Sequence, residues 1–256
     1  MRNLVGLLVG LVVLAVAGTA LAGQGATNSN GDFADLSVKV TPPISGTAKA
    51  PRGVGLAFSS FVGNRINANR TINNKTLTVR LNQNFTSNGL LFPSCTINPI
   101  ALSVCPAKTR IGTGTAEGEI LSSTGGAPTY VQATLNAYNG KPYKASNGTM
   151  IISASVGGKP TTELDFQVAP ENGGLSFTQI QFPPAPGATG PIIYLTKFHL
   201  VTPAKTETIK VHGHKRTIAL LQAPTVCRGS WGFSQTLGFP SQPSLTATDS
   251  QPCIKG

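Results

Sequence analysis

The sequence predicts an all-β protein, an antiparallel β-sandwich or jelly-roll-like domain stabilised by disulfides. Three observations predict it. Short apolar runs alternate with polar residues, the period of strands with one buried and one wet face. Turn residues separate the runs, and past the N-terminal apolar stretch no ten residues hold the 3.6-residue period of an amphipathic helix. Charged residues are only 11 % of the chain, against 29 Gly and 19 Pro. That is well below the roughly 25 % usual in globular domains, so hydroxyls and amides face water in place of ions.

Taken in chain order, the first element is an export signal. Arg2 and the terminal amine are its positive region, Leu4 to Ala17 its apolar run, and Thr19-Ala20-Leu21-Ala22 its small-residue end. Cleavage is expected after Ala22, making residues 1–22 a signal peptide. The apolar run is shorter than the roughly 20 residues of a spanning helix. It is interrupted by glycine and lacks a basic cluster behind it. No transmembrane segment is therefore expected after cleavage, and 234 of the 256 residues remain.

Residues 23–34, rich in Gly, Asn and Ser, read as a disordered entry segment. Residues 35–256 read as one β-sandwich domain, which could divide near Asn139-Gly140. Its strands show in the alternations Leu36/Val38/Val40, Leu77/Val79/Leu81 and Val131/Ala133/Leu135/Ala137. Further on come Met150/Ile152/Ala154/Val156, Leu164/Phe166/Val168, Ile192/Tyr194 with Phe198/Leu200, and Ile209/Val211. Asn139-Gly140, Asn147-Gly148, Gly157-Gly158, Asn172-Gly173-Gly174 and Pro183 to Gly187 supply turns. Residues 82–109 break the rhythm and are expected to form a disulfide-pinned loop with a helical turn.

Cys95, Cys105, Cys227 and Cys253 are an even number behind an export signal, which reads as disulfides. Three pairings are possible, and placement along the chain favours the local one, Cys95–Cys105 with Cys227–Cys253. Loop closure then contributes about 3 kcal/mol per bridge.

Two stretches resemble a known pattern. One is Phe92-Pro93-Ser94-Cys95 with Cys105-Pro106-Ala107-Lys108-Thr109-Arg110-Ile111-Gly112-Thr113-Gly114-Thr115-Ala116; the other is Ala223-Pro224-Thr225-Val226-Cys227 through Trp231 to Cys253. They are similar to uncharacterised exported proteins of actinobacteria with a Cys-Pro, an Ile/Val-Gly-x-Gly-x-Ala strand and a closing Pro-x-x-Cys…Trp…Cys. The resemblance implies a secreted β-rich protein with two local disulfides and carries over no activity.

Twenty Lys and Arg against nine Asp and Glu give +11, or +10 without Arg2. The basic residues are scattered, which reads first as a solubilising surface charge; of specific partners outside a cell, anionic wall or envelope polymers are the candidates, and nucleic acid is not expected. The densest basic stretch runs over Lys205, Lys210, His212, His214, Lys215 and Arg216. It reads as a hairpin with Ile209 and Val211 inward and Lys210, His212 and His214 outward. His199, His212 and His214 could ligate zinc or copper, but Lys210, Lys215 and Arg216 crowd the same tip and repel a cation. No metal and no cofactor is expected.

Two carboxylate pairs, Glu163/Asp165 and Glu117/Glu119, fall on the polar side of their strands. Glycosidases need two facing carboxyl groups, but same-face neighbours on a strand ordinarily form a wet surface. There is no Gly-x-Ser-x-Gly elbow. Trp231, beside Cys227, fits core filling better than a sugar platform. No catalytic residue is assigned. The expected function is that of a secreted, non-enzymatic surface-associated or interaction protein binding anionic envelope polymers. The alternatives are a jelly-roll hydrolase and a carrier of an apolar ligand between the sheets.

Overall fold

The computed structural model describes residues 25–66, 76–120, 129–144, 146–180, 193–211, 214–240 and 242–256. The expected signal peptide and His212 lie outside these residues. The fold is all-β: among the described residues there is no α-helix, and only two 3-10 turns, Gly89–Leu91 and Ala107–Thr109, interrupt the strands.

The first strands are β1 (Ala26–Thr27), β2 (Asp32–Thr41), β3 (Gly55–Asn64), β4 (Thr76–Leu81) and β5 (Thr86–Ser87). Next come β6 (Arg110–Ile120), β7 (Thr129–Gly140), β8 (Thr149–Val156), β9 (Lys159–Glu171), β10 (Gly174–Gln179) and β11 (Ile193–Thr202). The chain ends with β12 (Thr206–Val211), β13 (His214–Ala219), β14 (Leu221–Gln222), β15 (Ser230–Gly238) and β16 (Leu245–Pro252).

Twelve of these strands form one sheet in the order β1-β2-β3-β11-β6-β7-β8-β9-β10-β4-β15-β16. Neighbouring strands in it run antiparallel. The hairpins follow local chemistry. Gly157-Gly158 joins β8 to β9, and Asn172-Gly173 joins β9 to β10, with all four φ angles positive. Two-residue turns of that handedness match the twist of the strands they connect. At β6 the backbone of β11 passes so close that a Cβ on Gly114 would collide with the His199 carbonyl oxygen. The Gly-x-Gly of this strand is thus a packing requirement.

The sheet curls until its ends nearly meet, giving a barrel-like interior. β1 pairs with β2 only at Phe33 and Ala34, which leaves the edge of β2 beyond them open. β16 approaches that edge with side chains. Asp249 Oδ2 accepts from the Val38 amide at 2.6 Å, and Gln251 Oε1 accepts from the Val40 amide at 2.6 Å. Gln251 Nε2 donates to the Val40 carbonyl at 3.0 Å. A parallel bridge between Ile44 and Ile254 extends the seam.

Inside, two apolar clusters share Phe58, Leu77, Met150 and Phe177 at their junction. The larger holds Trp231, fully buried and 5.3 Å edge-on from Phe85. Trp231 is core filling. The disulfides pair as Cys95–Cys105 and Cys227–Cys253.

Two expectations are corrected. The described part of 23–34 is ordered, because Asn28 Oδ1 accepts from the amides of Asn30 and Asp32 and builds a turn that pairs β1 with β2. The polar composition makes a hairpin there. Nor does the chain divide near Asn139-Gly140, for β7 runs through both residues between β6 and β8. Asn139 is buried, and its Nδ2 donates to the carbonyls of Gly89 and Pro93 at 2.9 and 3.1 Å. It pins the start of the disulfide-bearing loop.

Candidate functional site

The basic stretch forms a ribbon of its own. β12 and β13 pair only with each other, outside the 12-stranded sheet. Their register sets Lys210 opposite Lys215, Ile209 opposite Arg216 and Val211 opposite His214. Alternation then puts Lys210 and Lys215 on one face, and His214 with Arg216 on the other. This corrects the expectation that His214 shares the face of Lys210. Lys210, His214, Lys215 and Arg216 are all exposed. Lys205 departs from the set, since its Nζ donates to the carbonyls of Lys108 and Arg110 at 3.2 and 3.0 Å and anchors the base of the ribbon.

The carboxylates depart from the expected wet face. Asp165 is 5 % exposed and its Oδ1 has no hydrogen-bond partner. Burial first, and then the charge of Glu163 and a hydrogen bond with it, push its carboxyl up to about 7. Glu163 itself accepts from the amide and hydroxyl of Ser103, both at 2.7 Å. Ser103 lies within the Cys95–Cys105 bridge, so the pinned loop is tied onto the outside of β9.

Glu119 is equally buried. Its negative charge and hydrogen bond raise the Tyr130 hydroxyl above its ordinary range. Glu117 accepts from Lys197 at 2.9 Å and from Gln132 at 2.7 Å, and chiefly the Lys197 bond holds its carboxyl below the usual range.

These two pairs do not meet. β7 and β8 lie between their strands, a separation of roughly 14 Å at the usual strand spacing. Glycosidase carboxyl groups stand within about 5–10 Å of each other. Near Glu117, Ser59 Oγ lies 2.7 Å from His199 Nδ1. This pair sits across neighbouring strands on the outer face. Among the described residues no carboxylate hydrogen-bonds to His199, so it lacks the third member of a nucleophilic triad. Nor, among the described residues, do three His, Cys, Asp or Glu side chains come together as a metal site.

Sequence reasoning offered a carrier of an apolar ligand but could not place its site; the structure has a partly enclosed cavity of about 140 Å³. Its wall includes Val38, Phe58, Leu77, Met150, Phe177 and Leu200, and three buried polar residues, Asn139, Thr149 and Gln235. The signal was present in β15, where Trp231, Phe233, Gln235 and Leu237 are the inward positions. A glutamine stands where the alternation calls for an apolar residue.

Neither the protein-family models, nor the curated proteins, nor the solved structures with which the chain was compared gave a match. Fold and residues alone therefore define the class: a disulfide-bonded all-β protein with a nearly closed sheet. Among the described residues no helix is long and apolar enough to cross a membrane.

Proposed function

We propose that this chain is an exported, non-enzymatic binding protein that attaches to anionic polymers of a cell envelope through the β12–β13 ribbon. The observation that carries this is the direct cross-strand pair Lys210–Lys215. Like charges set opposite each other on one sheet face destabilise the pairing. Here neither lysine has an ion-pair partner among the described residues. An anion bridging the two ammonium groups would turn that repulsion into attraction, and Arg216 and His214 offer a second basic face behind them.

Export is supported by the N-terminal signal pattern and by two disulfides, which persist in oxidising compartments. The likeness of the Cys-Pro and Gly-x-Gly segments to exported actinobacterial proteins agrees with this reading.

Co-sedimentation of the oxidised protein with isolated cell envelope across a salt series tests the proposal. Binding should fade as salt rises, because exposed charge contacts are screened. Each lysine near an anionic surface contributes about 1 kcal/mol. The double substitution Lys210→Ser/Lys215→Ser should therefore weaken low-salt binding roughly 30-fold. Undiminished retention at high salt would refute the electrostatic account.

A further inference from the structure

Independently of the ribbon, we propose that the barrel interior is a binding site for a compact, mostly apolar molecule carrying one hydrogen-bond donor, of the phenol class. The argument starts from strand number. Around eight strands enclose an interior that side chains just fill. The curled sheet here uses more, β2 to β16 through eleven staves, and its inward residues are mainly Val, Leu, Ile and Phe of ordinary size. At the junction of the two clusters they leave a gap. What is left is the cavity of about 140 Å³ at the junction of the two apolar clusters.

Protein interiors seldom leave a void larger than a water molecule. A dry cavity of ~150 Å³ lined by Leu, Ile and Phe accepts benzene, so the volume here suits a single six-membered ring with a small substituent. The shape of the site sets the ligand's size, and Gln235 sets its polarity.

Gln235 is 1 % exposed, lines the cavity, and its Oε1 has no hydrogen-bond partner. Its neighbours across the ladder are Val79 on β4 and Ala247 on β16, neither with a side-chain donor. The other buried polar residues of the wall are engaged, Asn139 Nδ2 donating to the Gly89 and Pro93 carbonyls and Thr149 Oγ1 to that of Lys141. The Gln235 acceptor in this mainly apolar chamber is satisfied by a ligand that is apolar elsewhere and donates once.

Phenol and toluene are the probes, being nearly equal in shape and differing in the donor. With oxidised protein, phenol should raise the melting temperature saturably and titrate with measurable heat. Toluene should bind at least tenfold more weakly. Gln235→Leu keeps the side-chain size and removes the acceptor, so it should abolish the preference for phenol. Val79→Phe, which places a ring beside Gln235, should block both probes. The proposal is overturned if neither probe shifts the melting temperature of the wild type, or if Gln235→Leu still prefers phenol. Should Val79→Phe fail to fold, the phenol–toluene comparison on the wild type and Gln235→Leu decides alone.

Discussion

At Asp165 the outer face of β9 stops being wet. The alternation Leu164, Phe166, Val168 places Glu163 and Asp165 on the side away from the core, and that much was legible. Period two cannot tell that a disulfide-bridged loop returns 60 residues earlier in the chain to hold Glu163 through Ser103. A buried carboxyl beside a second one prefers its proton. The folded protein keeps that proton up to about pH 7, whereas the unfolded carboxyl loses it near 3.8. Between those values the native state binds more protons than the unfolded state, so stability falls as pH rises through the window. Asp165→Asn stays neutral throughout. Its melting temperature should exceed that of the wild type by a few degrees at pH 8 and match it near pH 4, the equivalent of about 1–2 kcal/mol at the higher pH. Equal melting temperatures at pH 8 would refute the assignment. Gln235 was legible in a different sense. Its inward position follows from the alternation of β15, but that it lines a cavity depends on strands far apart in sequence.

Strands and turns carry their own lessons. Leu36, Val38 and Val40 all proved to face the core, as did Phe166 and Val168 and the pair Phe198 and Leu200. Gly157-Gly158 and Asn172-Gly173 proved to be the tight turns they announce. β3 escaped notice because Gly55–Asn64 carries two adjacent serines and no clean alternation; its place is set by pairing with β2 and β11. Asn139-Gly140 has the residues of a hairpin turn, yet tertiary contacts with Gly89 and Pro93 keep it inside β7. The Gly-x-Gly of β6 is the reverse case, a local motif whose meaning lies in a neighbour 85 residues on. Gly114→Ala should cost about 1–3 kcal/mol, the range for overpacking, because the obstacle is the backbone of His199 and not a movable side chain. Urea unfolding would measure it. A loss below half a kcal/mol, the ordinary range for an unconstrained surface site, would mean that β11 can move away at little cost.

Across the whole molecule, the sheet must deal with the edge of β2. An open strand edge is a template for pairing with another chain. Continuing the backbone ladder is one solution, but here β16 substitutes side-chain groups at two alternate β2 amides, Val38 and Val40. The seam thereby closes the wall beside the cavity, whose lining includes Val38. A closure made by two side chains can be removed without touching the core. Asp249→Ala/Gln251→Ala leaves both amides without their acceptors, and each unsatisfied buried group costs about 1–3 kcal/mol. The amides of Val38 and Val40 should then exchange hydrogen much faster, while those of β7 and β8 at the far side of the sheet keep their protection. Because the freed edge is apolar on its inner face, the variant should also self-associate on concentration, as light scattering would detect. Unchanged exchange at Val38 and Val40 would show that packing of Leu245 and Ala247 against β2, and not the two side-chain contacts, keeps the barrel shut.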